Sequence, residues 1–161
     1  MTGIQNVNNP LIIYRLITLV FLCFFAIYDK RHHKIRNAAL LAFLPWCLFS
    51  IPVTIYSLPA VPWPYIVLRS LLGCINGFCT LLLISMATNG SIGGGDIKFV
   101  GLLGILYGTT GLLSVLFLSC LAALLHNGIK AIPNGNLPKN IPLAPYLLYG
   151  CALYTLFNQT T

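Results

Sequence analysis

The stretch Pro10-Leu-Ile-Ile-Tyr-Arg-Leu-Ile-Thr-Leu-Val-Phe-Leu-Cys-Phe-Phe-Ala-Ile-Tyr28 is followed at once by Asp29-Lys-Arg-His-His-Lys34. The apolar run is about long enough to cross a hydrocarbon core of roughly 30 Å. Its charges follow the run instead of preceding it, and no small-x-small site comes after, which is the reverse of a cleaved signal peptide. The segment therefore reads as a retained transmembrane helix. Arg15, near its start, can snorkel to the nearer interface.

The rest of the chain has the same character. Of 161 residues, 58% are hydrophobic and 7% are charged, and the mean hydropathy is +0.88. A soluble domain carries about a quarter charged residues, so the bilayer is the solvent here. Backbone polar groups in lipid require helices or a closed barrel. The continuous Leu- and Ile-rich runs lack the alternation of barrel strands, and the predicted fold class is all-α: a polytopic membrane helical bundle. About six transmembrane segments are expected, at 11–28, 37–56, 65–87, 97–107, 112–126 and 141–157, with the N-terminus outside. They form one integral membrane domain over residues 1–161. Pro45 and Pro52 are expected to kink the second segment. The fourth is short and is expected to be joined to the fifth by a turn at Gly108-Thr-Thr-Gly111. Breaker-rich or polar loops are predicted at 88–95 and 127–140.

The charges orient this bundle. Lys30, Arg31, Lys34, Arg36, Lys98, Lys130 and Lys139 fall at one set of segment ends, and only Arg15 and Arg69 at the other. By the positive-inside rule the first set is cytoplasmic. The net charge of +7 thus points to lipid headgroups as partners and to no nucleic acid. The six cysteines (Cys23, Cys47, Cys74, Cys79, Cys120, Cys151) lie in apolar stretches with no Cys-x-x-Cys pair. They read as small packing residues, without a disulfide framework or metal site. His32 and His33 have no ligand cluster around them and read as interface residues.

The chain holds only two acidic residues, Asp29 and Asp96. The second lies in Ser91-Ile-Gly-Gly-Gly-Asp-Ile-Lys98, between two apolar runs, and the topology puts both carboxylates at the cytoplasmic face. Two adjacent carboxylates are forced into different protonation states. One can then take a proton from water while the other donates to a carbonyl oxygen, and the pair titrates as a unit. Gly93-Gly-Gly95 lets a backbone approach without Cβ clashes. A purely structural reading stands beside this one: Asp96 caps the fourth helix, and Asp29 pairs with Lys30 or Arg31. Ser91 has no base beside it, and His126 lies about a full span away, so a serine nucleophile is excluded.

Gly93-x-Gly95-Asp96 resembles the Gly-x-Gly-Asp motif of intramembrane aspartyl peptidases. The longer string Gly93-Gly-Gly-Asp-Ile-Lys98 is similar to the type IV prepilin peptidases. The first aspartate of that family stands at a helix end before a basic stretch and Ile-Pro-Asn; here Asp29 precedes Ile35-Arg36-Asn37, with Arg36 in place of the proline. Ile141-Pro-Leu-Ala-Pro-Tyr-Leu147 resembles the Pro-rich opening of the family's last helix. The resemblance covers about residues 20–150. It implies removal of short basic leaders from prepilins or pseudopilins in the bacterial cell membrane. Asp29 and Asp96 would be the catalytic pair, Gly93 and Gly95 shaping residues, and Lys98 a substrate-binding or shaping residue. No cofactor or metal is implied. Larger relatives carry a cysteine-paired segment between the first two spans and N-methylate the product. The seven residues between Asp29 and Asn37 suggest a short form without the N-methyltransferase segment. A basic loop should repel a basic leader, so an acidic substrate residue beyond the cleavage site is the expected partner of Lys98 or Arg31.

Two rivals remain at this stage. Presenilin and signal-peptide peptidases also use Tyr-Asp, as in Tyr28-Asp29, but have more spans and a Pro-Ala-Leu motif, whereas Pro142-Leu-Ala-Pro145 stands here. A small polytopic transporter or structural membrane protein would use the aspartates as ion or proton sites, but it explains neither the glycines nor the Pro-rich helix start.

Overall fold

The computed structural model describes residues 10–32, 37–89, 92–134 and 143–157. The positions of His33, Lys34, Arg36, Ser91, Lys139, Ile141 and Pro142 lie outside the described residues, as do the side chains of Lys30, Arg31, His32 and Lys130. Five helical elements follow in order: α1 (Pro10–His32), α2 (Asn37–Ser57), α3 (Trp63–Ala87), α4 (Gly94–Asn134) and α5 (Leu143–Phe157). Among the described residues, α1 to α4 contain runs long and apolar enough to cross a membrane, and α5 is a shorter apolar helix. Large side chains such as Val20, Phe24, Leu41, Phe117 and Leu124 are exposed around the bundle. In water such a surface would be a liability; in a bilayer it is the solvated face. The molecule is a multi-pass membrane protein.

The local signals explain the element ends. Pro10 opens α1, and Pro62 and Pro64 flank the start of α3, where a missing N–H costs nothing. Asn89, at φ +53°, ends the run after α3. Pro45 and Pro52 lie inside α2 without breaking it. Hydroxyls serve carbonyls nearby: Ser50 Oγ donates to Cys47 O at 2.6 Å and Thr54 Oγ1 to Ser50 O at 2.7 Å. These are ordinary Ser and Thr back-bonds to the preceding turn; the carbonyls that lose a donor to Pro45 and Pro52 are those of Leu41 and Leu48.

Helix α4 is two helices in one. Its 41 residues would measure about 60 Å if straight, twice the hydrocarbon core. Gly108 has φ 68° and ψ −179°, backbone angles open to glycine alone. The packing shows that the chain reverses there. Gly104 lies against Gly73 backbone to backbone, and the Val100 carbonyl faces Gly77 one turn further along α3. Yet the Leu112 side chain also meets Gly77. Residue 112 has returned to the height of residue 100, whereas an unbroken helix would separate them by about 18 Å. The first arm (94–107) thus runs antiparallel to α3. The second arm (109–134) runs antiparallel to α5, with Gly111 beside Tyr154, Ser119 beside Gly150 and Asn127 bonded to Tyr146 at 3.1 Å. The break frees the Tyr107 carbonyl, and Arg69 Nη2 donates to it at 2.9 Å.

Counted this way, the described residues form six helical segments. The expected four-residue turn at 108–111 is a single residue, because Thr109, Thr110 and Gly111 are helical. The loops expected at 88–95 and 127–140 are shorter than predicted: α4 begins at Gly94 and continues to Asn134. Of the cysteines, Cys47 and Cys151 pack in the core, whereas Cys23, Cys79 and Cys120 face outward. The core gathers Leu22, Phe25, Phe43, Phe99, Leu103 and Leu147.

Candidate active site

On α1 the buried residues are Tyr14, Thr18, Leu22, Phe25, Ala26 and Asp29, a stripe of helical spacing. Asp29 therefore occupies an inward-facing position at the end of an otherwise mostly apolar face, with only 4% of its surface exposed. A carboxylate so buried requires a donor. Its Oδ2 accepts a hydrogen bond from the Ala144 N–H at 3.2 Å. Ala144 is the second residue of α5, where backbone N–H groups have no partner inside the helix and the dipole favours an anion. Pro145, lacking an N–H, follows it. The Pro-rich helix start thus presents a free amide to Asp29 from 115 residues away.

Asp96 lies in the first turn of α4. The turn is closed by Asp96 N–H and Ile97 N–H, both donating to Gly93 O at 3.0 and 3.3 Å. Asp96 is half-buried, and its Oδ2 lies on the Gly93 side, 3.5 Å from where a Cβ on Gly93 would stand. Three residues on, Phe99 is fully buried and its ring lies 5.1 Å from that of Phe25. Phe25 stands one turn before Asp29 on the same face. Phe43 of α2 completes the cluster, 5.3 Å from Phe25 and 6.2 Å from Phe99.

This aromatic cluster sets the geometry. It joins α1 to α4 through side chains; among the described residues no Cα of α1 comes within 8 Å of one of α4. The two aspartates project one turn beyond it, at the same end of the bundle, and the Asp29 carboxylate is within electrostatic reach of Asp96. The space between the two carboxylates, beyond this aromatic cluster, is the candidate gap for a reacting group, since such a pair can move protons to and from a third group.

The remaining predicted residues flank Asp96 in the chain. Gly93 and Gly94 are exposed. A Cβ on Gly94 would meet nothing within 4 Å, and one on Gly93 only Asp96 Oδ2 at 3.5 Å. Neither has a positive φ, so nothing within the described protein demands glycine there. Gly95 lies in the first turn of α4. Lys98 is exposed, and its Nζ donates to Asn37 Oδ1 at 3.4 Å. It points away from the gap, since position i+2 lies on the other side of a helix. The Ala144 amide and the Phe25–Phe43–Phe99 cluster escape a residue-by-residue reading. The Pro-rich stretch was the available signal for the first, and the i−4 and i+3 offsets from the two aspartates for the second.

Residues 16–127 match the model of the type IV leader peptidase family. The prepilin leader peptidase/N-methyltransferase of Bacillus subtilis (strain 168) is 31% identical over 137 residues, which cover 84% of this chain and 52% of that protein. The chain spans about half the length of that relative. No solved structure matches it significantly. The matched region contains both aspartates and the glycine stretch between α3 and α4. The chain belongs to the type IV leader peptidase family.

Proposed function

We propose that the protein is an aspartyl endopeptidase that removes the leader from type IV prepilins or pseudopilins at the cytoplasmic face of the bacterial cell membrane. What supports this reading is that Asp29 and Asp96, carried by two helices, stand at the same end of the bundle, one turn beyond the Phe25–Phe99 contact. One carboxylate, ionised, takes a proton from a water in the gap. The oxygen of that water attacks the scissile carbonyl carbon. The other carboxylate, protonated, gives its proton to the carbonyl oxygen. Collapse of the tetrahedral intermediate breaks the C–N bond: the departing nitrogen takes the proton first removed from water, and the hydroxyl that re-forms the carbonyl returns its proton to the second carboxylate. Which aspartate plays which part belongs to the pair as a unit.

The other residues assist. The Ala144 N–H holds one oxygen of Asp29 and keeps that carboxylate aimed at the gap. Gly93 and Gly95, with the open Gly94 beside them, let an extended substrate backbone lie alongside Asp96. A substrate whose apolar helix lies in the membrane presents its helix end at the depth of the aspartates. The proposed reaction ends at the new amino terminus, with only four residues, 33–36, between α1 and α2. The whole described bundle would act as one peptidase domain.

The test is direct. The full chain is expressed with a candidate prepilin, and the leader is followed by gel shift or mass spectrometry. Wild type should release the leader, and Asp29→Asn and Asp96→Asn should each leave the precursor intact while still inserting into the membrane. Normal processing by either variant would overturn the dyad. A wild type that inserts but cleaves nothing would return the aspartates to ion or proton binding.

A further inference from the structure

A cavity of about 440 Å³ opens between α2, α3 and the first arm of α4, on the side of that arm away from the aspartates. Leu40 and Leu44 form one wall, Phe78 the other, and Gly101 leaves the floor without a side chain. Its volume is that of a small-ligand site, of order 300–1,000 Å³. At its mouth stand Lys98 and Asn37. Leu41, Leu44 and Phe78 are exposed on the rim, so the groove opens sideways toward lipid.

We propose that this groove binds one anionic phospholipid, its phosphate held by Lys98 and the Asn37 amide and one acyl chain in the groove. The charge asks for an anion. Among the described residues Lys98 donates only to a neutral amide oxygen, at the long distance of 3.4 Å. Of the chain's two carboxylates, Asp29 accepts from the Ala144 N–H, and among the described residues no ion pair joins Asp96 to Lys98, whose position i+2 lies on another side of the helix. The groove fits within one leaflet. Asn37 and Leu44 are seven residues apart on α2, about 10 Å along the axis, a third of the roughly 30 Å core. A membrane-crossing helix would meet such a groove over only a turn or two, whereas an acyl chain hanging from a phosphate at Lys98 fills it. Lys98 and Asn37 also sit at the bundle end where headgroups lie. The lipid would brace Lys98, two residues from Asp96. This site stands on its own observations and does not depend on the peptidase reading.

The full chain, purified in neutral detergent, is mixed with phosphatidylglycerol or phosphatidylcholine of identical acyl chains and examined by native mass spectrometry. One phosphatidylglycerol should be retained in preference to phosphatidylcholine. Lys98→Gln should lower that preference about fivefold, the worth of one lysine at an anionic surface. Leu41→Trp, placed on the exposed rim where folding is undisturbed, should cut retention of phosphatidylglycerol by obstructing the groove. Equal retention of the two lipids by wild type, or a preference unchanged by both substitutions, overturns the site. A photoreactive side chain at Leu44 should label the lipid acyl chain whether or not a prepilin is present. Transfer of that label to the prepilin would assign the groove to the substrate and also overturn the proposal.

Discussion

The two ends of the bundle use glycine in opposite ways. Toward the end that carries Arg15 and Arg69, glycines are filled space. Gly73 and Gly104 touch backbone to backbone, Gly108 lies under the Arg69 side chain, and Gly150 receives Ser119 and Val115. At the aspartate end, among the described residues, Gly93 and Gly94 face nothing but one oxygen of Asp96. The first set lets helices approach closely where the bilayer offers no hydrophobic force between them. The second set holds no helix in place. The lesson is that the same residue type marks self-packing at one end and, in our reading, room for an incoming chain at the other.

The contrast can be broken by adding one methyl group at a time. Gly104→Ala should have the largest effect on folding, because the new Cβ meets the Gly73 backbone, which has no flexible end to move. A loss of about 3 kcal/mol or more is expected, read as failure to purify as a folded species or a large drop in thermal midpoint. Gly108→Ala comes next: a positive φ and a displaced Arg69 should cost about 1–3 kcal/mol, with the reversal retained. The smallest change in stability should come from Gly94→Ala. Its backbone is helical and its surroundings are empty, so the melting temperature should hold or rise, by up to about 1 kcal/mol of helix propensity. Leader removal by this variant should nevertheless fall, about tenfold for a clash worth about 1.4 kcal/mol in the transition state. A Gly94→Ala protein that loses stability and keeps its rate would reverse the assignment of the two ends.

The parts of this arrangement legible in sequence were those encoded locally. Apolar runs of 20 residues give the helices, and the position of charges gives their common ends. Asp29 and Asp96 could be placed at one end by counting spans. Gly108 was marked as a turn, but its extent was not readable, because Thr109 to Gly111 carry a turn-like composition and are held helical by tertiary packing on α3 and α5. The continuation of α4 to Asn134 is of the same kind: Asn127 reads as a loop residue, yet it bonds the Ala123 carbonyl at 2.8 Å and Tyr146 at 3.1 Å. The Ala144–Asp29 hydrogen bond spans 115 residues, and no local pattern specifies such a contact. The outward-facing Cys23, Cys79 and Cys120 show a further limit. In lipid, an apolar position does not distinguish core from surface, since both are apolar.

The central claim is that Asp29 and Asp96 act as one unit, and the measurement that tests it most directly compares single and double variants. The leader-removal rate is measured for Asp29→Asn, Asp96→Asn and the double variant, each confirmed to insert and melt like wild type. Residues that form one catalytic machine lose their effect together, so the double variant should be no slower than either single. A double variant slowed by the product of the two single losses, or a single variant that keeps the wild-type rate, would contradict the account.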